Sequence, residues 1–152
     1  MAVSFSVNLN QTNTASATVP MVNGMATATN QIAIYEINAG SDASADNAVK
    51  YAIFRTSARG TQATTYTPNS ADQNTTQAAL STWDLTWNIN PTITANSQVL
   101  QWAQHQRGTY RWVAYDYTKM LRTQAGTGKG MALMSVVVSS AFNGVFSLEY
   151  DE

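Results

Sequence analysis

Several groups of residues in this chain have types and spacings that could do chemistry. Gly126-Thr127-Gly128-Lys129-Gly130 has the look of a phosphate-binding loop. The P-loop pattern needs a Gly five residues before Gly128 and a Ser or Thr after Lys129, where Thr123 and Gly130 stand. The loop also leads into an apolar, strand-like run, so no helix N-terminus waits for a phosphate. A flexible turn is the better reading. His105 is the single histidine. A general base needs an orienting partner and a substrate within hydrogen-bond reach, and neighbouring Gln104 and Gln106 supply neither. A metal would find this one imidazole, no cysteine and scattered carboxylates, short of the three or four ligands such sites use. Asp42 and Asp46 share a loop and could touch a hard cation, but they lack the ligand spacing of a calcium loop.

Glu149, Asp151 and Glu152 form an acidic end. Paired carboxylates can do acid–base work on glycosides, but two of these lie at the tail, which usually frays. Serine is abundant, yet no G-x-S-x-G elbow is present. Nucleophile, base and oxyanion donors all lack candidates, so the residues point to no enzyme, no cofactor and no metal. Four tryptophans remain. Trp112 sits in an apolar strand and reads as core. Trp83, Trp87 and Trp102 lie in a weakly patterned middle segment, where binding loops tend to sit. Exposed, they would serve as interface anchors or glycan platforms; simple packing explains at least half of them.

Composition narrows the class further. The chain has 152 residues, one domain by length, and a net charge of −1, so it carries no electrostatic footprint for nucleic acid or an anionic membrane. No basic, apolar leader opens it, and no apolar run approaches a membrane-spanning helix. Charged residues make up 11% of the chain, against about 25% in ordinary soluble domains. Ser, Thr, Asn, Gln and Ala take their place. Such a surface costs less to desolvate and is poorly protected against association. Much of it is expected to lie against other subunits.

The elements that position these residues read as strands. Val3, Phe5, Val7 and Leu9 alternate with polar residues in a half-buried strand pattern. Residues 14–19 offer a weaker strand, 31–37 and 49–56 two strong ones, and 61–67 and 83–87 two shorter ones. Residues 38–47 are a loop of turn formers. Residues 72–80 could form one helical turn. Tyr110, Trp112, Val113, Ala114 and Tyr115 are dense enough in aromatic and β-branched types for a strand near the centre of a sheet. Residues 119–122 make a short strand, and 131–139 and 145–150 two long ones. The last two should form a hairpin with Asn143-Gly144 at its tip. The sum is an all-β, two-sheet sandwich, a jelly roll rather than an up-and-down barrel, with a long irregular middle segment. It forms a single domain over 1–152, with 1–20 as an extended N-terminal arm or edge strand.

Four segments in order carry a resemblance: Trp87-Asn88-Ile89-Asn90-Pro91-Thr92, the run from Gln106 to Ala114, the Gly130-led apolar strand, and Phe146-Ser147-Leu148-Glu149-Tyr150-Asp151-Glu152. Over residues 30–152 the chain resembles jelly-roll capsid decoration, or cement, proteins of tailed bacteriophages. It departs from them at 115–120, where a Pro-containing loop would stand. The resemblance implies a homotrimer made in the bacterial host cytoplasm and seated on the outside of the virion capsid. Its partners would be itself and the major capsid protein, with no nucleic acid or membrane. The N-terminal arm, through Val3, Phe5, Val7 and Leu9, would pair with a neighbour or the shell by strand addition. The rival reading is a head-fibre or tail knob that binds a host glycan through Trp83, Trp87 or Trp102.

Overall fold

The structure, a computed structural model, describes residues 3–13, 19–42, 44, 46, 48–138 and 141–152. The strands in chain order are β1 (Ser4–Asn13), β2 (Pro20–Met25), β3 (Ala33–Ser41), β4 (Ala48–Ala58), β5 (Thr61–Tyr66) and β6 (Asn69–Ser70). Then come β7 (Thr82–Ile89), β8 (Thr92–His105), β9 (Tyr110–Val113), β10 (Leu121–Arg122), β11 (Gly130–Val138) and β12 (Phe142–Asp151). Among the described residues the one helical element is a 3-10 turn at Tyr117–Lys119, capped by the Asp116 carboxylate, which accepts from the Thr118 amide at 2.7 Å.

Two antiparallel sheets result. In the first, β9 and β10 both lie beside β3, followed by β12, β1 and the short β6. In the second the order is β5-β7-β2-β11-β4-β8. Strand β4 pairs with β8, β3 with β9, β2 with β11 and β1 with β12. Those pairings describe a chain folded once on itself between β4 and β8 and then rolled, which is the jelly-roll wrapping.

Alternation decides which side of each strand is buried. Phe5, Val7 and Leu9 of β1 point inward, as do Phe142, Phe146, Leu148 and Tyr150 of β12. Each such side chain contributes roughly 1.5–3 kcal/mol when removed from water. Strand β3 has inward residues at both even and odd positions, because its register against β12 shifts between Glu149 and Tyr150. The bulge at Tyr35 changes the phase, so Ile34, Ile37 and Ala39 are all buried. Between the sheets, Tyr51 meets the Phe146 ring edge-on at 5.3 Å, and Trp83 packs against Tyr150 at 5.2 Å.

The second sheet cannot be flat. Strands β4 and β5 have three strands between them, which in a flat sheet would set them about 19 Å apart. Ala58 and Thr61 are joined by a stretch that reaches at most about 11 Å. The register shows how the chain solves this. Ala58 faces Thr92, and Thr61 faces Ile89, so β4–β5 and β7–β8 are one antiparallel ribbon bent at Gly60 and Pro91. One end of the ribbon pairs with β11 and the other with β2, so it arches over the outward side of the β2–β11 pair. Residues there are enclosed although they point away from the core: Asn23, Ala132 and Asp84 are 0% exposed.

Several sequence expectations change. The aromatic strand expected at a sheet centre is the four-residue β9, which pairs with β3 alone. Strands β11 and β12 lie in different sheets, so they form no hairpin, and Asn143-Gly144 falls inside β12. Residues 72–80 hold one hydrogen-bonded turn, closed by the Thr75 N–H on the Asp72 carbonyl at 3.2 Å, but no helix, and the loop expected from residue 38 starts only after Ser41. The irregular middle segment holds the fourteen-residue β8. The weak strand expected at 14–19 falls largely on 14–18, outside the described residues.

Candidate functional site

The residues with chemical potential are dispersed and each has a structural partner. Asp46 lies 3.2 Å from the Arg107 guanidinium and 3.7 Å from His105. Asp42 instead accepts from the Asn143 backbone N–H and side-chain amide, at 3.2 and 3.0 Å. The glycine-rich turn is tied down by backbone bonds, Gly126 to Thr27 at 2.8 Å and Ala26 to Lys129 at 2.9 Å, and it leads into β11. Among the described residues no group of three His, Asp or Glu side chains could hold a metal ion.

The acidic end is built in rather than frayed. Glu152 accepts from the backbone N–H of Leu80 at 2.8 Å and of Ser81 at 3.0 Å, and from the Ser81 and Tyr150 hydroxyls. Burial is the main reason the Tyr150 hydroxyl is pushed far up from its ordinary value. The carboxylate therefore anchors the loop before β7 and is committed to that task.

The tryptophans divide. Trp83 is 1% exposed and lies over Gly24, where an added Cβ would meet its ring at 2.8 Å. Trp102 is 6% exposed, stacks on Tyr110 at 4.7 Å, and donates its indole N–H to Gln104 at 2.9 Å. This stack joins β8 of one sheet to β9 of the other. A ring buried on both sides presents no platform, so neither indole is an exposed anchor on this surface. Trp87, half-buried, keeps that possibility. The N-terminal expectation changes too. Phe5, Val7 and Leu9 are core residues of β1, and all of β1 is in register with β12. Strand addition by a loose arm is therefore not available to this segment. The edge-strand half of the expectation is closer, since beyond β1 only the two residues of β6 pair with it.

What the fold does assemble is the outward face of the first sheet. Register places Asn10, Val145 and Gly40 in one row across three strands, with the Thr109 methyl 3.9 Å from where a Cβ on Gly40 would stand. Asn8, Ser147, Asn38 and Arg111 form the next row, and Ser6, Glu149, Glu36 and Val113 the one after. Short side chains here, with Gly40 at the floor, leave an open cleft of about 600 Å³. Arg111 grips Glu36 through two bonds of 2.8 and 3.1 Å, and this hydrogen bonding holds the Glu36 carboxyl below its usual range. Glu149, directly opposite Glu36, is pushed up by burial and then by that neighbouring charge, against the Ser147 hydroxyl bond that lowers it. The face offers amides, hydroxyls and two exposed valines, Val113 and Val145. Period-2 alternation in β1 and β12 predicts these outward positions; the rows themselves depend on strand order, which no local signal carries.

No protein-family model matches this chain, and no curated protein and no solved structure matches it either.

Proposed function

We propose that this chain is a virion structural protein: a homotrimeric decoration protein that binds the outside of a tailed-phage capsid and stabilises it. The observation that carries this reading is the pair of open sheet edges on a nearly charge-free surface. Strands β5 and β8 each pair on one side only among the described residues. From Thr61 to Tyr66 and from Thr92 to Gln104 neither contains a charged residue. Sheet edges in proteins that stay alone are usually blunted with charge, proline or cover. Edges left long and neutral favour pairing with another chain, as a subunit of an assembly requires. The weak charge of the polar surface lowers the desolvation cost of the remaining contact. Many identical sites on a shell would then add through multivalency. The resemblance of residues 30–152 to decoration proteins supports the same conclusion.

The test is to mix the purified protein with empty capsids of the phage that encodes it and sediment them. Saturable co-sedimentation, with the shell surviving higher temperature or lower salt, is expected. Capsids that pellet without it would overturn the reading. The second reading is a glycan-binding knob on a head fibre or tail. Of its three indoles, Trp87 is the one not fully buried, so it carries that reading.

A further inference from the structure

We propose that the pocket between Asp151, Ala33 and Arg122, walled by Tyr117, is a binding site for a neutral saccharide. Strand register builds it. Ser4 faces Asp151, Asp151 faces Ala33, and Ala33 faces Arg122, so these four residues form one outward row across β1, β12, β3 and β10. Alanine in the middle, itself buried, adds only a methyl group to the floor of the row. The carboxylate and the guanidinium stand two strand spacings apart, about 10 Å between backbones. Among the described residues Arg122 makes no ion pair. The gap between them is a pocket of about 420 Å³, also lined by Thr29, Asn30 and Gln31.

The chemistry around this gap is that of polyol recognition. Planar side chains on opposite sides offer acceptors from Asp151 and donors from Arg122, and the amides of Asn30 and Gln31 offer both. A sugar hydroxyl donates and accepts at once, so it can bridge a carboxylate and a cation that are not paired with one another. Asp151 is held in place by the Ser4 hydroxyl, which donates to it at 2.6 Å. Arg122 is held by the Tyr117 carbonyl at 3.1 Å and lies over the Tyr117 ring at 3.9 Å. Both polar arms are therefore oriented before any ligand arrives, which lowers the cost of binding. Tyr117 is 63% exposed, and the neighbouring Tyr115 is 80% exposed. Large aromatic rings left in water next to a polar pocket supply the apolar surface that the C–H face of a pyranose needs. The site does not rest on the decoration reading, because a protein that ignores capsids can still bind sugar here.

Saturation-transfer NMR on the intact protein, with free glucose, galactose, mannose and N-acetylglucosamine as probes, tests the site. At least one should bind with an affinity on the order of 1 mM, as a small polar ligand with few contacts would. Tyr117→Ala and Asp151→Asn should each weaken that binding by roughly tenfold or more, since each removes one wall or one charged acceptor. Trp87→Ala should leave it unchanged. Both Tyr117→Ala and Trp87→Ala alter side chains outside the core, and an unchanged amide spectrum checks that each variant folds. No transfer to any of the four sugars would overturn the proposal. So would transfer that survives Tyr117→Ala and Asp151→Asn but vanishes in Trp87→Ala, which would place the sugar at the other indole.

Discussion

Two arginine–carboxylate pairs in this molecule have nearly the same geometry and opposite surroundings. Arg59 donates twice to Asp84 at 2.7 Å, beneath the bent ribbon of the second sheet, with the Asp84 side chain wholly buried. Arg111 donates twice to Glu36 on the outward face of the first sheet, where the Arg111 side chain is 65% exposed. Both carboxylates occupy outward positions of their strands. The difference lies in what the chain does next. The ribbon folds β5 and β7 back over β2 and β11, whereas among the described residues no strand lies over the outward side of β3 and β12. Outward therefore means solvent in one sheet and interior in the other. The buried pair is also embedded in a polar chain, with Thr65 donating to Asp84 at 3.2 Å and Thr56 to Asn23 at 3.2 Å.

The largest expected effect separates the two pairs directly. Asp84→Ala removes the wholly buried acceptor shared by Arg59, whose side chain is 33% exposed, and Thr65, and should cost about 2–3 kcal/mol in urea unfolding. Glu36→Gln should move the unfolding midpoint far less, since its partner Arg111 is largely in water, where salt screens the pair. Equal effects would mean the ribbon does not enclose its side of the sheet. Next in size is Gly24→Ala in β2, which faces Trp83 of β7 on the core side. Its Cβ would press on Trp83, a buried ring with no room to move, and the loss should be about 1–3 kcal/mol.

Smaller effects belong to the acidic end and the open face. Glu152→Ala removes the acceptor for two backbone N–H groups and should cost about 1–2 kcal/mol. Amide exchange at Leu80 and Ser81 should accelerate while that of β11 stays unchanged. On the open face the two facing carboxyls have opposite pH signatures. The contribution of Glu36, whose folded value is lowered, is present above the ordinary Glu range and lost as pH falls through that lowered value. Glu149 is raised by burial, so its ionisation weakens the fold as pH rises through that raised value. Glu149→Gln should therefore raise the melting temperature slightly at pH 7 and match the parent at a pH below the ordinary carboxylate range. A variant that is less stable at pH 7 would contradict this assignment.

The same contrast explains what could be read from residues alone. Strands with a buried side and an exposed side, such as β1, β4 and β12, announce themselves by alternation, and the two-sheet sandwich follows from their number. Strand β8 does not. Most of its residues are polar and face water on an edge, so alternation is faint, and its early register carries bulges around Asn96, which has φ 53°. Trp83 and Trp102 looked like surface anchors because the segments around them are polar. Those segments lie on a sheet edge and within the bent ribbon itself, and the indoles point inward from them. The cleft over Gly40 and the pocket over Ala33 are made by rows across four strands. Residues such as Ala33 and Arg122 are far apart in sequence, and only strand order brings them together.

Light scattering on the purified chain, over a range of concentrations and at moderate salt, bears most directly on whether these neutral edges and polar faces exist to meet other protein. A mass of three chains is the expected result, falling toward one chain when Gln101→Lys and Ala103→Lys place charge on the exposed side of β8. A single-chain mass for the parent protein at every concentration would contradict it.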